Sequence, residues 1–202
     1  MAEIKTVGVV GAGQMGNGIA HVSALAGYDV ILNDVSQDAL DRGLATIEKN
    51  MGRQVARELI SLDEMKAAQA RISTSVELVP FAKVDLAIEA ATENREIKEK
   101  IFAALCNAVP EHAYLATNTS SISVTRLAST TDRPERFIGL HFMNPVPLMK
   151  LMEIIRGLAT DQGTYEMAIG FANRLEKTTT NAEAYPAFIV SRILVPMINA
   201  AV

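Results

Sequence analysis

The sequence has very little of the residue types that mark several common protein classes. Its 202 residues include no tryptophan and a single cysteine, Cys106. A single cysteine excludes an intrachain disulfide framework and a cysteine-cluster metal site, and we expect no bound metal. Cys106 lies next to Leu105 in an amphipathic helical pattern. This position favours a packed thiol over a nucleophile.

An excess of positive charge and long apolar runs are also missing. Lys and Arg number 19 against 23 Asp and Glu, for a net charge of −4, so the clustered cations that nucleic-acid phosphates require are not indicated. No run reaches the roughly 18 apolar residues of a membrane span. The features of a secretory signal are absent before the first apolar run. We therefore expect a cytoplasmic protein with no nucleic-acid or membrane partner.

The sequence does contain alternating strand and helix patterns. Strand-like runs occur at 4–10, 28–34, 85–90, 114–118, 136–142, 148–155 and 177–181, and helical patterns at 15–26, 38–70 (one or two helices) and 93–108. This alternation is typical of an α/β protein with a Rossmann-type, doubly wound, mostly parallel sheet.

The last part of the sequence differs from this pattern. Residues 187–202 form a helical pattern that is apolar nearly all round, which calls for burial on most sides. Such a helix indicates partner helices that are missing or supplied by another chain. The exposed apolar face of this helix predicts self-association as a homodimer.

A glycine-rich motif follows the first strand directly. A helix begins inside this motif, where its first amides are available to a pyrophosphate. Asp34 ends the second strand about 20 residues later, where a carboxylate accepts hydrogen bonds from ribose hydroxyls and repels the extra phosphate of NADP. The motif therefore predicts an NAD site formed by Asp34 together with Gly11, Gly13, Gln14, Met15 and Gly16.

Among three histidines, His141 stands at the most informative place, at the end of an apolar strand and before a loop with two prolines. Ligands bind at the carboxyl ends of strands in open α/β sheets. Glu153 follows in a largely apolar run, and a buried carboxylate needs a partner. A His/Glu pair beside a hydride acceptor suits the oxidation of a secondary alcohol.

Three segments are long enough to compare with known families. The longest is Gly-Leu-His-Phe-Met-Asn-Pro-Val-Pro-Leu-Met-Lys-Leu-Met-Glu over 139–153; the others are Asn-Thr-Ser-Ser over 118–121 and Glu-Ala-Ala-Thr-Glu-Asn over 89–94. They resemble the L-3-hydroxyacyl-CoA dehydrogenase family, and the bacterial 3-hydroxybutyryl-CoA dehydrogenases in particular. The likeness runs from Lys5 to the C-terminus. It implies an NAD-binding Rossmann-type domain over 1–183 and, over 184–202, the first helix of an otherwise absent all-α C-terminal domain. It implies NAD-dependent interconversion of a 3-hydroxyacyl-CoA and a 3-ketoacyl-CoA in fatty-acid or short-chain acyl-CoA metabolism.

The resemblance also implies individual roles. His141 would be the base, Glu153 would orient and stabilise it, and Ser120 would hydrogen-bond the reacting oxygen or the substrate near it. The residues expected to line the NAD site with the glycines and Asp34 are Glu93, Lys98, Ser120 and Asn144. Asn50 and Arg57 fall near the family's CoA-contacting positions, and a solvated helix face is the alternative for both.

Two positions depart from the family pattern Pro-Gly-Phe-Ile-Val-Asn-Arg. Ser191 replaces the active-site Asn and offers one hydroxyl where Asn has an amide donor and a carbonyl acceptor. Ala187 replaces Gly and loses its backbone freedom. These changes leave open a non-enzymatic or catalytically impaired NAD-binding relative. A dehydrogenase for a free β-hydroxyacid is a further alternative, although such enzymes usually rely on a lysine base.

Overall fold

The computed structural model describes residues 4–183 and 188–201. Its centre is one sheet of eight strands, which are β1 (Thr6–Val10), β2 (Asp29–Asn33), β3 (Ile72–Ser75), β4 (Leu86–Glu89), β5 (Tyr114–Thr117), β6 (Phe137–Phe142), β7 (Leu151–Arg156) and β8 (Thr178–Glu183). They lie in the order β3-β2-β1-β4-β5-β6-β7-β8. The pair β6–β7 is antiparallel and the other pairs are parallel. The predicted mostly parallel α/β sheet is confirmed.

Seven α-helices connect or flank the strands. They are α1 (Gln14–Leu25), α2 (Gln37–Ala56), α3 (Leu62–Ala70), α4 (Arg95–Ala108), α5 (Val124–Ala128), α6 (Gln162–Arg174) and α7 (Val190–Ala200) in the described residues. Polar caps set several of their first turns: Ser36 accepts from an amide of α2, and Ser61 and Glu64 form a reciprocal capping box on α3.

The strand order reverses beside β1. The chain places β2 and β3 on one side of β1, and β4 to β8 on the other. Ligands of doubly wound proteins bind at such a reversal, outside the carboxyl ends of the strands. This topology predicts a ligand site at the loops that follow β1, β4, β5 and β6.

Apolar side chains pack against both faces of the sheet. Successive side chains of a strand point to opposite faces of the sheet. Ile88 packs in the hydrophobic cluster with α1, α2 and α6, and Ala87 packs in the cluster with α4 and α5. Burial of both faces explains why the central strands read as continuous apolar runs. Cys106 packs against the second cluster as predicted, and burial raises the pKa of its thiol.

Several boundaries differ from the sequence predictions. The strand predicted from Leu148 begins at Leu151, because the amides of Leu148 and Met149 both donate to the carbonyl of Pro145 and form a turn. The helix predicted from Glu93 begins two residues later, because Asn94 accepts from the amide of Ile97 as its cap. The elements β3, α5 and α6 have no counterpart among the predicted strands and helices.

The predicted C-terminal helix is present as α7. Its large apolar side chains are exposed, and they are Ile193, Leu194, Val195, Met197 and Ile198. Pro186 and Ala187 lie outside the described residues, so the domain boundary after residue 183 stays a prediction. None of the helices in the described ranges is long and apolar enough to span a lipid bilayer.

Candidate active site

Glycine shapes the loop between β1 and α1. Gly11 has φ +101°, and a Cβ atom there would lie 2.6 Å from Cα of Ala91. A Cβ atom on Gly16 would lie 1.7 Å from the carbonyl oxygen of Gly11. For Gly13, no atom of the described residues outside the adjoining backbone lies within 4 Å of the corresponding position. Two of the glycines therefore allow the tight turn, and the third leaves room for a ligand to approach the backbone.

A cavity of about 420 Å³ opens beside this loop, between α1 and α2. Of the predicted cofactor residues, Gly13, Gln14 and Asn144 line it, whereas Gly11, Met15 and Gly16 belong to the same turn without lining it. Gly13 precedes α1 and has no side chain to cap the helix, so the first amides of α1 are available to an anion. The open backbone at Gly13 and these amides fit a pyrophosphate.

Asp34 follows β2 at the same edge of the sheet. Its Oδ2 accepts a hydrogen bond from the amide of Ala12 at 2.9 Å, and its Oδ1 accepts from the amide of Ser36 at 3.1 Å. The carboxylate is half-buried and is held against the glycine loop. Each oxygen keeps a further lone pair that a ribose hydroxyl can use.

His141 and Glu153 are cross-strand neighbours in the antiparallel pair β6–β7. Nδ1 of His141 lies 2.6 Å from Oε2 of Glu153, and Nε2 lies 3.0 Å from Oγ of Ser120. The Glu153 side chain has no exposed surface and that of His141 is 8% exposed. An ionised carboxylate only accepts hydrogen bonds, so beside an ionised Glu153 a neutral His141 ring has its proton on Nδ1 and its Nε2 lone pair toward Ser120.

The second oxygen of Glu153 contacts the start of α7. Oε1 accepts from the backbone amides of Ile189 at 3.0 Å and Val190 at 2.9 Å. The ring of Phe188, which is almost fully buried, lies 5.8 Å from the His141 ring. The His/Glu pair is therefore enclosed by the turn that begins α7.

Glu93 is bonded to the loop that carries Ser120. Its Oε1 accepts from the hydroxyls of Thr119 and Ser121 at 2.6 and 2.8 Å, and from the amides of Ser120 and Ser121 at 3.0 and 3.1 Å. Burial raises the pKa of Glu93, but these hydrogen bonds and the charge of Lys98 outweigh it and hold the pKa below the usual carboxyl value. Glu93 thus fixes the position of Ser120.

Lys98 lies beneath the same loops with no exposed surface. Its ammonium pairs with Oε2 of Glu89 and also donates to the carbonyl of Asn118 at 3.3 Å. Thr117 donates to the same Glu89 oxygen at 3.1 Å. In this arrangement Lys98 ties the carboxyl end of β4 to the end of β5, and its side chain is covered by protein atoms.

The remaining predicted residues are Ser191 on α7, Asn50 on α2, and Arg57 directly after α2. Ser191 is half-buried in the first turn of α7; within the described residues, its side chain has no hydrogen bond to His141 or Glu153. Asn50 lines the 420 Å³ cavity and also a second cavity of about 230 Å³, which Arg57 lines as well. Asn50 therefore lies where the two cavities meet.

A protein-family model described as the NAD-binding domain of 3-hydroxyacyl-CoA dehydrogenase matches residues 6–184. The chain belongs to the 3-hydroxyacyl-CoA dehydrogenase family. Members of this family are NAD-dependent oxidoreductases, so the predicted family, enzyme class and cofactor are confirmed.

Individual family members support the same assignment. A 3-hydroxybutyryl-CoA dehydrogenase from Bradyrhizobium diazoefficiens is 56% identical over 201 residues, which are 100% of this chain and 69% of the relative. A mitochondrial hydroxyacyl-coenzyme A dehydrogenase from Rattus norvegicus is 38% identical over 205 residues, 98% of this chain and 65% of the relative. The crystal structure of an (S)-3-hydroxybutyryl-CoA dehydrogenase from Ralstonia eutropha has a TM-score of 0.96 at 44% identity, covering 98% of this chain and 70% of that one.

Three residues that border this site were not predicted from the sequence. Arg42 and Thr46 line the larger cavity with Asn50. Their four-residue spacing places all three on one face of α2, so helical periodicity could have identified them. Phe188 was also missed, and its contact with His141 depends on a turn that no local pattern indicates.

Proposed function

We propose that this protein is an NAD-dependent dehydrogenase that interconverts an (S)-3-hydroxyacyl-CoA, in particular 3-hydroxybutyryl-CoA, and the matching 3-ketoacyl-CoA, in fatty-acid or short-chain acyl-CoA metabolism. The observation that carries the proposal is the hydrogen-bonded series Ser120, His141 and Glu153. It lies at the carboxyl ends of the strands, at the sheet edge that also carries the glycine loop. A base held by a carboxylate beside a nicotinamide suits the oxidation of a secondary alcohol.

His141 would take the hydroxyl proton of the substrate at Nε2. Glu153 holds the Nδ1 proton and offsets the positive charge that forms on the ring. Ser120 would turn its hydroxyl from Nε2 to the substrate oxygen and hydrogen-bond it while charge develops there. In the reverse direction the same imidazolium returns its proton to the 3-keto oxygen.

NAD, when bound, supplies the acceptor for the hydride that leaves C3 of the substrate. The glycine loop and Asp34 would hold its pyrophosphate and adenosine ribose. Around the nicotinamide, Glu93, Ser120 and Asn144 are the proposed contacts, and Lys98 would act by holding the two loops through Glu89. Because Glu93 orders the Ser120 loop, cofactor and base are supported by one hydrogen-bond network.

The CoA part of the substrate would follow α2. Asn50 joins the two cavities, and Arg53 and Arg57 line the smaller one. Guanidinium groups bind phosphate through paired donors. The acyl end would then point toward His141, with the CoA phosphates near the two arginines.

Homodimerisation and a cytoplasmic location belong to the same proposal. The exposed apolar side chains of α7 include Ile193 at 62% and Met197 at 59%, and exposed apolar surface of this kind favours association. Light scattering should therefore report a species larger than the monomer. A monodisperse monomer would refute the proposed dimer.

Stereospecific oxidation tests the proposed reaction. We expect NADH to form from NAD with (S)-3-hydroxybutyryl-CoA and not with the (R) isomer or with free 3-hydroxybutyrate. Ser191→Asn should raise kcat by about tenfold, since one added hydrogen bond of about 1.4 kcal/mol to a developing charge gives that factor. Formation of NADH from the free acid alone would instead favour a β-hydroxyacid dehydrogenase.

A further inference from the structure

The carboxylate of Glu153 is shared between His141 and the backbone of a distant segment. One oxygen faces Nδ1 of His141, and the other accepts the amides of Ile189 and Val190. The side chain is completely buried. A buried carboxylate without donors is strongly unfavourable, so these three N–H groups supply what water would otherwise provide.

The residue before α7 is Ile189, whose apolar side chain cannot cap the first amides of the helix. Glu153 on β7 takes that place, and its negative charge lies at the positive end of the helix dipole. The turn before the helix has an unusual backbone conformation. Phe188 has φ +45°, which bulky residues rarely adopt. Its ring packs near His141 while the next two amides point at Glu153.

We propose that the first amides of α7 are a positioning element that fixes the tautomer of His141. Two donors on Oε1 stabilise the ionised carboxylate, and the ionised carboxylate keeps the proton of the neutral ring on Nδ1. Nε2 then has its lone pair free for the substrate hydroxyl. The ability of His141 to act as a base therefore depends on α7 being docked on Glu153.

Removal of an amide would favour a different arrangement of protons. Oε2 of Glu153 takes the Nδ1 proton of His141, and Nε2 takes one proton from a hydronium ion of the solvent, so that the pair gains one proton in total. The Oε2–H group then donates a hydrogen bond to Nδ1. The single N–H of the neutral ring now resides on Nε2, where it cannot accept the proton of an alcohol. In this state the two side chains still touch, so loss of activity arises from the tautomer and not from loss of the contact.

A backbone ester at position 190 tests this inference. Replacing Val190 by α-hydroxyisovaleric acid removes its N–H and weakens the carbonyl of Ile189 as an acceptor. That carbonyl also accepts from the amide of Ile193 at 3.1 Å. The matched control is the corresponding ester at Ile193, which removes the same helical hydrogen bond and leaves both donors to Glu153 in place.

The readout is the nitrogen NMR spectrum of the histidine rings in the protein without substrate. The sequence has three histidines, and His141→Gln assigns the signal of interest. We expect an Nδ1–H ring in the unmodified protein and in the Ile193 ester, and a predominantly Nε2–H ring in the Val190 ester. An unchanged tautomer in the Val190 ester, or the same change in both esters, would overturn the inference.

Kinetics provide a second readout, which rests on the proposed function. The Val190 ester should lower kcat at least tenfold with KM within twofold, and the Ile193 ester should change kcat less than twofold. Equal losses in both esters would contradict the inference. If neither the unmodified protein nor either ester turns over the acyl-CoA substrate, but the NMR result is as expected, the proposed function fails and the role of α7 stands.

Discussion

His141 and Glu153 are direct cross-strand partners in β6 and β7, with Nδ1 and Oε2 2.6 Å apart. Opposed side chains in antiparallel strands share a face, with their Cβ atoms about 4.5–5.5 Å apart. The sheet backbone itself therefore sets the spacing of the pair. This rigidity matters for a base, because proton transfer requires the acceptor nitrogen within hydrogen-bond reach of the substrate hydroxyl.

Substitution of either member should impair the chemical step more than binding. We expect His141→Gln to lower kcat by about 10²–10⁴, the usual contribution of a positioned general base. Glu153→Gln should lower it by at least about tenfold, since a neutral amide offsets no charge on the ring. Steady-state kinetics with NADH and acetoacetyl-CoA measure both effects. NADH affinity within twofold of the unmodified protein is the control, and kcat within threefold for His141→Gln is incompatible with its role as the base.

Asp34 should determine the choice between NAD and NADP. Its carboxylate is fixed by the amides of Ala12 and Ser36 beside the glycine loop, where a phosphate on the ribose would meet a negative charge. Asp34→Ser should weaken NADH binding about tenfold and reduce the preference for NADH over NADPH by at least as much. Titrations of cofactor fluorescence give both dissociation constants. An unchanged ratio of the two constants would rule out this role.

The buried Lys98–Glu89 pair should be important for stability. Lys98→Met leaves the fully buried carboxylate of Glu89 without its cation, and such changes cost about 3–5 kcal/mol. Urea unfolding measures the difference in free energy. The matched control is the double variant Glu89→Gln with Lys98→Met, which should be more stable than the single variant. A loss below about 1 kcal/mol in Lys98→Met would show that the pair contributes little.

His21 should make stability depend on pH. Burial lowers its pKa, and the nearby charge of Lys177 adds to this, although the hydrogen bond with Gln54 acts in the opposite direction. The folded protein therefore binds the proton less readily than the unfolded chain does. This contribution to stability is complete above the unfolded value of about 6.5 and is lost as the pH falls below it.

The free energy of unfolding, measured at intervals between pH 5 and 7.5, checks this prediction. It should rise with pH in the unmodified protein, and the rise should be smaller in His21→Leu. An identical pH dependence in the two proteins would exclude His21 as the source.

Features that depend on local chemistry could be predicted from the sequence alone. The glycine motif and Asp34 predicted the loop because only glycine fits at Gly11 and Gly16. Glu153 stood out because a carboxylate in an apolar strand needs a partner, and His141 was the partner proposed. Both residues of this pair were predicted to lie on strands, and both do.

Other features depend on tertiary contacts that have no local signal. The edge strand β3, with the sequence Ile-Ser-Thr-Ser, is mostly polar and only half-buried, so its pattern resembles a loop. Glu93 was assigned to the cofactor site from the family resemblance, but its bonds to the Ser120 loop became visible only in the structure. The contact of Glu153 with α7 likewise arises from the turn at Phe188.

The central claim is that His141 serves as the base of an NAD-dependent 3-hydroxyacyl-CoA dehydrogenase. The most direct test follows NADH absorbance after addition of acetoacetyl-CoA to the unmodified protein and to His141→Gln. We predict NADH loss that requires the acyl-CoA and is at least about a hundredfold faster in the unmodified protein. Bound NADH with no acyl-CoA-dependent loss, or equal rates in the two proteins, would contradict the claim.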